Sequence, residues 1–121
     1  MSITATPPIT HVTRIIVLLK LKPGTSRPDY EAWARSVDLP TVNRLQSVQG
    51  FEVFEATGLL GSNDSPPYDY IEVLDVADLA LFGQEVASET MKAIAAEFQR
   101  WSDPVFVTTR RLAWEARAEA A

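Results

Sequence analysis

Between Thr13 and Leu21 apolar residues fall at every second position. Thr13, Ile15, Val17, Leu19 and Leu21 share one face; Arg14, Ile16, Leu18 and Lys20 share the other. Period two predicts a strand, and Lys22-Pro23-Gly24-Thr25 stops it. The period then changes. Ser26 offers an N-cap, with Pro28 in the first turn and Asp29 three residues on. Tyr30, Trp33, Ala34 and Val37 follow at helical spacing and predict an amphipathic helix to about Asp38. Leu39-Pro40 should interrupt that helix, since a residue before proline is pushed out of the α region. A short helical turn through Thr41, Val42 and Leu45 is expected beyond it.

Phe51 to Thr57 alternates as a second strand, entered through Gly50. A run of turn formers follows (Gly58, Gly61, Ser62, Asn63, Asp64, Ser65, Pro66, Pro67), and Tyr68 to Asp75 reads as a third strand. There Ile71 and Val73 share one face, and Tyr68, Tyr70, Glu72 and Leu74 the other. Asp75 and Asp78 suit the start of a second helix, whose apolar stripe is Leu79, Phe82 and Val86. Ser88-Glu89-Thr90 restarts a helix that buries Met91, Ile94, Ala95 and Phe98. Trp101-Ser102-Asp103-Pro104 reads as a turn, and Val105 to Leu112 as the last strand.

The order is β-α-β-β-α-β, which predicts an α+β, ferredoxin-like domain with a four-stranded antiparallel sheet and the first and third strands central. Residues 1–12 read as a flexible tail, 13–112 as the single domain and 113–121 as a second tail. Two helices cover only one sheet face, yet both faces carry apolar groups. The expected partition puts Ile15, Val17, Leu19, Ile71 and Val73 on one side, and Ile16, Leu18, Leu74 and Phe106 on the other. A bare apolar face points to a partner sheet, most simply in a homodimer.

Composition narrows the function. The chain has 121 residues, 46% of them hydrophobic, enough for one domain with a core. A formal charge of −5 argues against nucleic acid and anionic membrane surfaces as partners. With no cysteine, disulfides, thiolate catalysis and cysteine-based metal sites are excluded. No leader pattern or membrane-length apolar run stands out, so a cytoplasmic location is expected. Gly58 and Gly61 do not form a phosphate loop. No nucleotide, flavin or metal is expected.

The runs Tyr30-Glu31-Ala32-Trp33, Asp38-Leu39-Pro40-Thr41-Val42, Gly50-Phe51-Glu52-Val53 and Asp69-Tyr70-Ile71-Glu72-Val73 resemble the REDY-like, HapK-type proteins of the dimeric α+β barrel superfamily. The resemblance spans about Arg14 to Arg110. It implies subunits that pair sheet to sheet into a barrel-shaped homodimer, with a cleft between helices and sheet. It also implies a role in bacterial secondary metabolism of the prodigiosin type. The implied activity is cofactor-free ring closure or rearrangement of a reactive pyrrole- or indole-type intermediate. A non-catalytic shielding protein and a cofactor-free oxygenase are the alternatives.

Glu72 is the first candidate for chemistry. A carboxylate in mid-strand beside tyrosines costs several kcal/mol to bury unless it is paired, hydrogen-bonded or protonated. Either it faces the helices beside Tyr70 at the floor of a cleft, where burial raises its pKa and suits it to proton transfer, or it pairs with Arg14 or Lys20. Asp38 is the second. It either caps the helical turn that follows or is held at a helix end for chemistry, with the Thr41 hydroxyl in reach. Tyr30 and Trp33 suit an aromatic pocket for a flat ligand, but the ordinary reading is the helix-to-sheet core, which is expected for at least one of them. Tyr68 and Tyr70 suit hydrogen bonding to a carbonyl or enol, though tyrosine is also common in strands. His11, the single histidine, lies in the N-terminal tail.

Overall fold

The computed structural model describes residues 12–113. Its elements are β1 (Thr13–Leu21), α1 (Arg27–Trp33), a π-helical turn (Ala34–Asp38), α2 (Leu39–Asn43), β2 (Val48–Glu55), β3 (Tyr70–Val76), α3 (Leu79–Glu85), α4 (Glu89–Trp101) and β4 (Ser102–Thr108). The sheet runs β2-β3-β1-β4 with all neighbours antiparallel. This is the ferredoxin-like α+β order, with β1 and β3 central. Residues 1–11, His11 among them, and 114–121, which make up nearly all of the two expected tails, lie outside the described residues.

Local chemistry accounts for the boundaries. Thr25 N–H donates to Lys22 O across 3.0 Å, with Pro23 and then Gly24 (φ 84°) at the turn centre. Positive φ is strained for any residue with a Cβ, so glycine belongs there. The Ser26, Asp78 and Ser88 side chains accept from Asp29, Leu81 and Met91 N–H respectively. Each such cap contributes about 1 kcal/mol.

Cross-strand register decides the faces. Tyr70, Glu72 and Leu74 lie opposite Leu19, Val17 and Ile15, while Ile71 and Val73 lie opposite Leu18 and Ile16. The expected grouping of Ile71 and Val73 with Val17 is therefore wrong: they share the open face, and Leu74 joins the core. Phe106 is also reassigned, since it pairs with Val17 and meets Phe98 edge-on at 6.3 Å. Alternation within a strand is local, but its phase against a neighbour depends on pairing register.

The core sits between the sheet and the helices. Val17, Leu19 and Val76 are almost wholly buried there, with Ile15, Phe51, Leu74, Met91, Ile94 and Phe98 around them. Burying a side chain of this size contributes roughly 1.5–3 kcal/mol. Ala95 faces solvent instead. No turn separates the last helix from the last strand. Ser102 opens β4 directly, its hydroxyl donating to Phe98 O at 3.0 Å, and the strand ends at Thr108, not Leu112. The second strand runs Val48–Glu55, with a bulge between Val48 and Gly50, and the third begins at Tyr70.

The helix was expected to break at Leu39-Pro40, and it does not. Leu39 stays helical (φ −58°, ψ −49°), with its N–H bonded to Ala34 O five residues back. The π turn is wider than an α turn, which leaves room for the proline ring at the start of α2. It also sets a stripe. Tyr30, Ala34, Asp38 and Val42 are all buried at four-residue intervals. In a plain α-helix that spacing slips by about 40° a step, or roughly 120° over three. The extra residue of the π turn takes back about 100° and returns Asp38 and Val42 to the inner face.

Candidate active site

The site lies where α1 and the π turn cross the Tyr70 end of β3. Register puts Glu72 on the helix-facing side, between Val17 and Val53. Only 3% of it is exposed, and Tyr30 Oη donates to its Oε2 across 3.2 Å. Pairing with Arg14 or Lys20 does not occur. Arg14 projects from the opposite face and grips Asp75 through two hydrogen bonds of 2.8 and 2.9 Å. Asp75 is thus a β3 residue, outside the helix start it was expected to serve.

Asp38, 5% exposed, makes no capping hydrogen bond to α2. The capping reading is overturned: its backbone is already helical and the π turn directs the residue inward. Burial pushes its carboxyl up to about 7. Glu72 is pushed up to about 8, chiefly by burial and secondarily by the charge of Asp38, against the pull of the Tyr30 hydrogen bond. Burial and the two neighbouring acids push the Tyr30 phenol far above its ordinary value. Near pH 7 the Glu72 carboxyl therefore favours its neutral form, while Asp38 stands close to its midpoint.

In front of these groups opens a cleft of about 150 Å³, lined by Tyr30, Glu31, Ala34, Arg35, Leu39, Val53, Glu55 and Tyr70. Tyr30 is the partition, touching the cleft on one side and Glu72 on the other. Tyr70 packs against it with ring centroids 4.8 Å apart, and Tyr70 Oη donates to Glu31 Oε2 across 2.6 Å. The Tyr70 phenol is pushed up to about 12 by burial and then by Glu31, with Arg27 opposing. The Arg27 guanidinium lies 5.3 Å over the Tyr70 ring and pairs with Asp69 (2.6 Å) and Glu55 (3.1 Å).

The structure therefore brings together Glu72, Asp38, Tyr30 and Tyr70. Trp33 stacks on Phe98 at 6.3 Å, within the helix-to-sheet core rather than the cleft lining. Thr41 is half-buried on α2 and Tyr68 half-buried ahead of β3, neither among the cleft-lining residues. Glu31, Arg35, Glu55 and Arg27 were missed by sequence reasoning. The spacing of Arg27, Glu31 and Arg35, four apart along one helix face, was the available signal.

Among the described residues no three His, Cys, Asp or Glu side chains cluster to hold a metal ion, and no helix is long and apolar enough to cross a membrane.

The geometry has relatives among solved structures. HapK from Hahella chejuensis is 26% identical, with a TM-score of 0.68, covering 85% of this chain and 95% of that one. A protein from Arabidopsis thaliana is 14% identical with a TM-score of 0.70 over 85% and 98% of the two chains. A dimeric ferredoxin-like protein of unknown function from Thermobifida fusca is 17% identical with a TM-score of 0.64 over 84% and 92%. The last two likenesses are of fold alone. No curated protein matches the chain. The family model of REDY-like protein HapK matches residues 13–112, nearly the whole described chain, and the protein belongs to that family.

Proposed function

We propose that the protein is a cofactor-independent catalyst of proton transfer that cyclises or rearranges a reactive pyrrole- or indole-type aromatic intermediate in bacterial secondary metabolism. The observation that carries this reading is a buried carboxyl, Glu72, at hydrogen-bond distance from a tyrosine that walls a cleft. A carboxyl poised near neutrality gives and takes protons at similar driving force, the condition for general acid–base work. Asp38 tunes Glu72 by its charge, and Tyr30 and Tyr70, both almost wholly buried, form the aromatic wall of the cleft.

The working unit in this proposal is a homodimer. The open sheet face presents a row Phe54–Ile71–Leu18–Val105 across all four strands, with Ile16, Val73 and Val107 beside it. Val105 is 48% and Phe54 46% exposed in the single chain. A second sheet laid on this face would bury them.

One observation favours a shielding role instead: Glu72 and Asp38 do not themselves line the cleft. Incubation of the purified protein with pyrrole- and indole-type intermediates, followed by mass spectrometry, separates the two. The catalyst gives protein-dependent product without added cofactor, and Glu72→Gln slows it by about a hundredfold. Tight binding with the same product profile in the presence and absence of protein sinks the catalytic reading.

A further inference from the structure

Two tyrosine–carboxylate pairs lie side by side, and they are crossed. Helix α1 contributes Tyr30 and Glu31, and strand β3 contributes Tyr70 and Glu72. Each tyrosine donates to the carboxylate of the other element, Tyr30 to Glu72 at 3.2 Å and Tyr70 to Glu31 at 2.6 Å. The rings meet at 4.8 Å with planes tilted by 48°. The two pairs differ in solvation. Glu72 is sealed behind Tyr30, whereas the Glu31 side chain is 27% exposed and lines the cleft. Arg35 sits 3.2 Å from Glu31 Oε1, so Glu31 has a cation beside it and Glu72 has an acid. Environments that separate two carboxyls in this way assign them opposite roles.

A simpler role for Glu31 is an i, i+4 surface pair with Arg35. Such pairs contribute only about 0.3–0.5 kcal/mol, and this one uses a single oxygen. The other oxygen is committed to Tyr70 by a short, charge-assisted bond. Helix surface charge alone does not call for that second contact.

We propose that Glu31 is the base of the cleft, taking the ligand's proton through Tyr70 while Glu72 supplies one through Tyr30. This rests on the proton-transfer reading above. Tyr70 Oη gives its proton to Glu31 and accepts the proton leaving a ligand N–H or C–H bond, whose electron pair stays on the ligand. In the second transfer the 3.2 Å hydrogen bond reverses: Tyr30 turns its O–H from Glu72 to a second ligand atom and gives up that proton, and the protonated Glu72 donates its own proton to Tyr30 Oη in return. The ligand leaves as an isomer, with Glu31 protonated and Glu72 ionised. Solvent at the cleft mouth removes the Glu31 proton and a second proton returns to Glu72, restoring the starting state.

The test is a generic proton-abstraction probe, 5-nitrobenzisoxazole. A base removes its ring C–H proton, the electron pair forms the nitrile, the N–O bond breaks and a coloured phenolate is released. The wild-type protein accelerates this above free acetate at the same pH. Glu31→Gln lowers kcat by about tenfold or more with KM little changed, and added formate restores part of the rate to Glu31→Ala. Circular dichroism and the melting curve verify that these variants fold. A Glu31→Gln rate equal to wild type overturns the proposal. If Glu72→Gln and Asp38→Asn then still lose rate, only the Glu31 assignment falls; if every carboxyl variant matches wild type, the proton-transfer reading falls with it.

Discussion

Tyr30 and Glu72, 42 positions apart in the chain, meet through one hydrogen bond of 3.2 Å in a place with almost no water. Its donor stands at the cleft wall and its acceptor on the central strand, so the contact joins the ligand space to the interior. Tyr30→Phe removes the donor and nothing else. Because that bond holds the Glu72 carboxyl down, the variant ionises at higher pH than wild type. Carbon-detected NMR of glutamate side chains reads this directly, and the lost bond costs about 1 kcal/mol. An unchanged Glu72 titration would remove Tyr30 from the proton path.

Stability should fall as pH rises. Glu72 and Asp38 have folded values of about 8 and about 7 against ordinary values of 4.5 and 3.8. Over those windows the native state holds protons that the unfolded chain has released, so each unit of pH upward favours unfolding. Stability is greatest in mildly acid buffer, declines toward pH 8 and levels above it. Asp75 and Glu85, held low by Arg14 and by the Ser47 hydroxyl, act oppositely and only in stronger acid. Urea titrations across this range are the measurement, and the Asp38→Asn, Glu72→Gln double variant gives a flat curve between mild acid and pH 8.

Glu85 tethers the end of α3 to the start of β2. It accepts from Gln46 N–H (2.8 Å), Ser47 N–H (3.1 Å) and the Ser47 hydroxyl (2.6 Å), and Ser47 is buried. Glu85→Ala leaves those donors without their acceptor. The melting temperature drops by several degrees while the sheet signature in circular dichroism is retained, and Glu85→Gln loses less. Equal melting points for all three proteins would show that water replaces the carboxylate at no cost.

The open face has a solution consequence. Sedimentation at micromolar concentration gives twice the 13.4 kDa chain mass, and Val73→Lys, at the centre of the face, shifts the protein to monomer. A wild-type mass of one chain contradicts the homodimer.

Much of the fold was legible in local pattern. The bounds of β1, the cap at Ser26, the helix starts at Asp78 and Ser88, and the central position of β1 and β3 follow from residues close in sequence. Features set by distant partners were not legible. The phase of β3 against β1 is set between strands separated by residues 22–69, and both faces carry apolar side chains, so hydrophobicity did not decide it. The inward turn of Asp38 needs a π turn that no residue type announces. The proline that suggested a break sits just after it. Glu31 looked like an ordinary surface carboxylate because its partner Tyr70 is 39 positions away.

The widened turn between α1 and α2 also bears on how such sites evolve. Asp38 reaches the interior only because one residue is added to the helix upstream of it. Loss of a single codon there would swing the acid toward solvent and leave the sheet untouched. Descendants of one scaffold can thus acquire or discard half of a buried acid pair by an indel, a route that an inventory of point substitutions would overlook.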